Sequence, residues 1–232
     1  MSSLERAVEV MDQLRSPGGC PWDAEQTHES LARYLLEETY ETLEAIETGD
    51  SALLREELGD LLLQVLFHAR LAQELPPGQR FSIDDVAGDL VAKLIRRHPH
   101  VFAGETPTPT PTPAATPTPT PAAEASGVDA ATVNENWERL KAAEKGRTSA
   151  VDGVPVGQPA LALAGKLVSR ASRAGLDVEP TEADEIGREL LAVVGRAVAA
   201  GVEPEASLRR AARSYRAAIV AAELERRSAE QD

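Results

Sequence analysis

Leu31, Leu35, Tyr40, Leu43 and Ile46 recur at helical spacing, break off at Thr48-Gly49-Asp50-Ser51, and the pattern resumes at Leu54, Leu58, Leu61, Leu62, Val65, Leu66 and Leu71. This period puts the apolar residues on one face of a helix and does not match the alternation of a half-buried strand. Gly49 can adopt the left-handed conformation that ends a helix, and Asp50 or Ser51 can cap the next one. Two long helices joined by so short a turn pack antiparallel. Leu4, Val8, Met11 and Leu14 mark an earlier helix that stops at Ser16-Pro17-Gly18-Gly19. Pro76-Pro77-Gly78 closes the long helix after Leu71, and Ser82 with Asp85 opens another that runs to Arg97 before Pro99. No segment alternates like a strand. The sequence predicts an all-α fold, a helical bundle built on an antiparallel hairpin.

That hairpin has an unusual polar pattern. Glu37-Glu38-Thr39-Tyr40-Glu41 lies on its first helix and Glu57-Leu58-Gly59-Asp60 on its second. Residues three apart share a helix face, about 4.5 Å apart along the axis. Glu38 and Asp60 are equidistant from Gly49, and so are Glu41 and Glu57, so an antiparallel hairpin faces Glu38 with Asp60 and Glu41 with Glu57. The four carboxylates would then converge at one level. Like charges brought together destabilise the fold unless a cation sits between them. An all-oxygen donor set favours hard cations, Mg²⁺ or Mn²⁺ before Zn²⁺, and such ions can bridge a polyphosphate and activate water. A solvated acidic face, of the kind expected for Glu44 and Glu47, is the plain alternative. A di-iron bundle needs two Glu-x-x-His pairs. Only Glu25-Gln26-Thr27-His28 fits, since His68, His98 and His100 lack a glutamate three positions earlier.

Composition changes abruptly from Glu105 to Ser126, where Thr-Pro pairs recur and seven of the sixteen prolines fall. Proline fixes φ and offers no donor, so this stretch should be an extended spacer. The expected organisation is a helical domain over 1–104, a linker over 105–127 and a second helical region over 128–232. The formal charge is −14, and residues 1–80 hold sixteen acids against six Lys/Arg. That field argues against stable nucleic-acid binding. No apolar run reaches the ~20 residues of a membrane span. The single Cys20 and the acidic amphipathic stretch after Met1 fit a cytoplasmic protein.

A bound polyphosphate would need cations opposite the carboxylates. Lys93, Arg96 and Arg97 supply them on the helix that begins after Ser82, unless they only complement its C-terminal dipole. His98 and His100 read as loop and cap residues. Trp22 and Trp137 offer flat surfaces on which a base could stack or a core could pack. Lys141 and Lys145 follow Trp137 at helical spacing and could reach phosphate. No phosphate-binding glycine loop, dinucleotide fingerprint or Ser-His-Asp arrangement is present.

Glu-Glu-x-x-Glu followed by Glu-x-x-Asp resembles the MazG family of all-α nucleoside triphosphate pyrophosphohydrolases. Gly19-Cys20-Pro21-Trp22-Asp23, Lys93 to Phe102, Asn136 to Lys141 and Pro159 to Leu176 are similar to that family too. The resemblance implies Mg²⁺-dependent hydrolysis of NTP to NMP and pyrophosphate in a homodimer. By position, it implies Glu38, Glu41, Glu57 and Asp60 as metal ligands and Lys93, Arg96 and Arg97 as the basic nucleotide-binding segment. It makes Glu37 a candidate to orient water beside Glu38, and adds Trp137 and Lys141 to the substrate-binding set. Long members carry two domains, and 128–232 looks like a degenerate second copy. Glu185-Ile186-Gly187-Arg188 parallels Glu57-Leu58-Gly59-Asp60 with arginine in the aspartate position, and Ser214 to Ala218 parallels Lys93 to Arg97 without its cations. One active site per chain is expected. The alternative is a non-catalytic helical scaffold whose C-terminal helices bind a partner.

Overall fold

The computed structural model describes residues 1–99, 101–102 and 148–229. These fall into two compact units, 1–99 and 101–102 belonging to one and 148–229 to the other. Every regular element among the described residues is a helix.

The first unit opens with α1 (Ser3–Arg15), fixed by a reciprocal capping box between Ser2 and Glu5. A short helix α2 (Pro21–Glu25), absent from the periodicity, starts with proline at its first position, where no amide donor is needed. Helix α3 (His28–Thr48) ends at Gly49, whose φ of 73° is the left-handed conformation that side-chain-bearing residues resist. Asp50 then caps α4 (Ser51–Ala72), its Oδ1 accepting from the amides of Ala52 and Leu53. Helix α4 stops four residues short of Pro76, because the chain already turns at Gln73 to Leu75. Ser82 and Asp85 form the capping box that starts α5 (Ile83–Arg97), and His98 closes it.

Helices α3 and α4 make the main packing interface of this unit, with α1 and α5 both laid against α4. Met11, Leu31, Leu66, Phe67 and Leu71 form the buried cluster, and Tyr34 and Ile83 pack on its edge. The Arg15 guanidinium clamps the Glu74 carboxylate with two hydrogen bonds, 2.8 and 2.9 Å long, and Arg70 joins Glu74 to Asp12. Those bonds tie α1 to the end of α4. The apolar pattern exceeds what this core covers: Leu36, Leu58, Leu63, Val65 and Val91 are all more than 40% exposed.

The second unit contains α6 (Ala160–Arg173), α7 (Glu185–Ala199) and α8 (Pro204–Ala229). Helix α6 packs against both others. Gly165 permits the closest approach, since a Cβ there would stand 2.9 Å from Cγ of Pro204. Buried Arg170 donates to the carbonyls of Ala150 and Asp152, fastening the preceding loop to α6.

Candidate metal and phosphate site

The hairpin brings Glu38, Glu41 and Glu57 together, with one ligand atom of each lying within 4.8 Å of the others. Among the described residues no other group of three His, Cys, Asp or Glu side chains does so. Their environments differ. Glu57 is only 8% exposed, Glu38 is half-buried and Glu41 is exposed. Asp60, also half-buried, lies outside that trio but closes the cluster on the Glu38 side.

The electrostatics record the same arrangement. Burial, then the charges of Asp60, Glu41 and Glu57, hold the Glu38 carboxyl above the ordinary carboxylate range. A hydrogen bond shared with Glu41 acts in the same direction. Burial raises Glu57 as well, followed by Glu41, Asp60 and Glu56. The strongest carboxylate neighbour of Glu38 is thus Asp60, and that of Glu57 is Glu41, the pairs that stand equidistant from Gly49. Among the described residues, no cation contributes to either shift. Oxygen donors so placed suit a hard divalent cation.

The other sequence candidates are distributed as follows. Glu37 is exposed beside Glu38 on α3. Lys93, Arg96 and Arg97 lie in the last turns of α5, half-buried, exposed and buried respectively. Trp137, Lys141 and Lys145, like His100, lie outside the described residues. Trp22 is half exposed and meets Tyr34 and Phe67 edge-on, at ring-centroid distances of 6.0 and 6.5 Å. His98 closes the helix, its Nδ1 donating to the Leu94 carbonyl at 2.7 Å. Of the pair expected on a solvated face, Glu44 is exposed but Glu47 is half-buried.

One polar contact escaped the sequence reading. Nδ1 of His28, at the start of α3, lies 2.7 Å from Nδ1 of His68 on α4. The rings are parallel with centroids 5.0 Å apart, the separation of coplanar rings meeting nitrogen to nitrogen. The two lone-pair directions therefore point at each other across a single shared proton, and not toward a common metal. Burial, and then the neighbouring His28, hold His68 below the usual histidine range. A search for Glu-x-x-His spacing could not find this pair. Its signal was the near-equal distance of His28 and His68 from Gly49.

Comparison with known proteins gives the class of protein to which this all-α hairpin with its acidic cluster belongs, that of nucleotide pyrophosphohydrolases. Residues 26–102 match the model of the MazG nucleotide pyrophosphohydrolase domain. The chain is 51% identical to an uncharacterised 26.1 kDa protein of Streptomyces cacaoi, over 93% of this chain and 81% of that one. It is 36% identical to the nucleoside triphosphate pyrophosphohydrolase/pyrophosphatase MazG of Thermotoga maritima, over 91% and 82%. It is 49% identical to a nucleoside triphosphate pyrophosphohydrolase of Mycolicibacterium smegmatis, over 76% of this chain but 48% of that protein. The chain thus spans about half the length of the mycobacterial relative. This chain belongs to the MazG family of nucleotide pyrophosphohydrolases.

Proposed function

We propose that the chain hydrolyses nucleoside triphosphates to nucleoside monophosphate and pyrophosphate, with Mg²⁺ as cofactor and Mn²⁺ able to replace it. The observation that carries this reading is the convergence of Glu38, Glu41 and Glu57, with Asp60 beside them, where burial and like charge raise Glu38 and Glu57 and no cation among the described residues offsets them. Those four carboxylates would hold the metal. When bound, a divalent ion there supplies charge neutralisation on phosphate oxygens and acidifies water. Glu37, exposed next to Glu38, would orient the attacking water. The water oxygen bonds to the α-phosphorus, the bridging bond to the β-phosphate breaks, and pyrophosphate carries the electron pair away. Lys93, Arg96 and Arg97 would bind the phosphate oxygens as negative charge moves onto that leaving group. Trp137 and Lys141 complete the proposed substrate-binding set.

The remaining parts of the reading rest on the same family. Domain limits of 1–104 and 128–232, joined by 105–127, give one catalytic and one degenerate copy per chain. In the second copy Arg188 is exposed on α7, where the first carries Asp60, and donates to the Ala183 carbonyl. The exposed apolar residues of α3 to α5 support a homodimer, since so much uncovered Leu and Val on one unit marks an interaction surface. No helix among the described residues is long and apolar enough to cross a membrane, and we place the chain in the cytoplasm, cleaning the nucleotide pool.

Metal linkage tests this reading against the scaffold alternative. A ligand at one hundred times its dissociation constant stabilises a fold by about 2.7 kcal/mol, so millimolar Mg²⁺ or Mn²⁺ should raise the melting temperature of the first unit by roughly 10 °C. The double substitution Glu38→Gln, Glu41→Gln should abolish that rise. A chain whose melting ignores both ions is the scaffold.

A further inference from the structure

Two buried polar atoms on α4 have no hydrogen-bond partner among the described residues: Oε1 of Gln64 and Nε2 of His68. Gln64 as a whole is only 5% exposed. At about 100° per residue, Glu57, Asp60, Gln64 and His68 fall on one strip of the helix. The strip faces α3 at both ends, because Glu57 meets Glu41 and His68 meets His28 there. Gln64 therefore faces α3 too, about 6 Å along the axis from Asp60 on one side and from His68 on the other. In the opposite direction, toward Gly49, the hairpin is lined by Leu53, Leu54 and fully buried Ala45. Half-buried Glu47 also lies on that side, and its carboxylate offers acceptors alone, whereas Gln64 brings a carboxamide with acceptor and donor.

A buried carboxamide oxygen without a donor destabilises a fold, and a methionine of similar size would avoid the penalty. Its presence beside a phosphate site calls for a partner that arrives with the ligand. We propose that Gln64, assisted by Nε2 of His68, forms a polar subsite that recognises the sugar or base of the nucleotide. This rests on the pyrophosphohydrolase reading, in which the phosphates occupy the cluster. A nucleoside attached to the α-phosphate extends along the hairpin by a distance comparable with one helical turn, and only the Gln64 side offers it a neutral donor and acceptor together. A carboxamide presents an acceptor and a donor together, the combination that matches the polar edge of a base. A site built around such a group rejects nucleotides that leave it unpaired.

The test uses the full chain with Mg²⁺, comparing wild type with Gln64→Met across a panel of NTPs and dNTPs. Inhibition by nucleoside monophosphate and by inorganic pyrophosphate is measured alongside. The subsite predicts a tenfold or greater change in relative kcat/KM among nucleotides and tenfold weaker inhibition by the monophosphate. It predicts pyrophosphate inhibition within twofold of wild type, and a melting temperature no lower than wild type. Unchanged nucleotide preference would mean that Gln64 holds only a buried water. Equal loss of monophosphate and pyrophosphate binding would mean a damaged cluster. Either result overturns the inference while leaving the enzymatic reading intact. A wild-type chain that turns over no nucleotide overturns both. Should Met at this position unfold the chain, NMR of the wild type decides: the Gln64 side-chain amide signals must shift with saturating monophosphate and stay fixed with pyrophosphate.

Discussion

Arg15→Ala should unfasten α1 from the hairpin at a cost that can be worked from the contacts. The side chain is 7% exposed, donates twice to Glu74, also reaches the Asp23 carbonyl, and lies 5.9 Å over the Phe67 ring. Hydrogen bonds to charged partners contribute about 1.5–3 kcal/mol each. Glu74 is 44% exposed and keeps Arg70, so water and that second guanidinium recover much of the loss. Truncation also strips the Asp23 carbonyl of this donor and removes packing over Phe67. The net destabilisation should be about 2–3 kcal/mol, or roughly 10–20 °C in Tm for a unit of about this size. Arg15→Lys keeps the charge but not the fork, and should lose about half as much. Urea unfolding followed by circular dichroism measures the difference. The Arg15 hydrogen bond leads the causes that hold Glu74 below its ordinary 4.5, so the gap between variant and wild type should persist at neutral pH and narrow as acid protonates Glu74 below that value. A loss under about 0.5 kcal/mol at pH 7 would refute the reasoning, since it would make Arg15 an ordinary surface residue.

Other consequences follow from the same contacts. Glu38 and Glu57 are raised above 4.5 in the folded state, so in the metal-free chain their own contribution to stability is complete below pH 4.5 and lost as pH rises through the raised values. Melting curves with EDTA across that range check this, and Glu38→Gln should flatten the dependence. His68 is lowered from 6.5, chiefly by burial and then by His28, while Glu29 is the carboxylate that interacts with His28. Its contribution is therefore complete above pH 6.5 and lost as pH falls through the lower folded value; His68→Gln should remove that acid-side loss. Gly165→Ala would press a Cβ against Pro204, whose ring cannot swing aside, and should destabilise the second unit by about 1–3 kcal/mol in calorimetry.

The helices were legible because their punctuation is local. Gly49 with Asp50, and Ser82 with Asp85, each mark an end through a cap that involves only residues a few positions away, whereas the caps at Ser2 and Thr27 emerged only in the structure. The carboxylate cluster was legible for a related reason. Once Gly49 fixes an antiparallel turn, residues equidistant from it must lie at one level, and no further knowledge of packing is needed. What stayed hidden depends on which faces are covered. Leu58 and Val65 have core-like spacing on α4 yet lie exposed, since α3 and α1 cover only part of a helix that is apolar on more than one side. His28 and His68 meet across the hairpin without a metal-ligand spacing motif, and that the Gln64 oxygen has no hydrogen bond among the described residues shows only in the folded structure. The short α2 has too few residues to display a period.

The most direct test of the account is the identity of the products. Purified chain would be incubated with ATP and a panel of NTPs and dNTPs, with Mg²⁺ or with EDTA, and the products resolved by ion exchange, for wild type and for the Glu38→Gln, Glu41→Gln double variant. The account predicts monophosphate and pyrophosphate in equal amounts from the wild type with Mg²⁺, and neither with EDTA or from the variant. Diphosphate with orthophosphate, or a double variant as active as wild type, would contradict it.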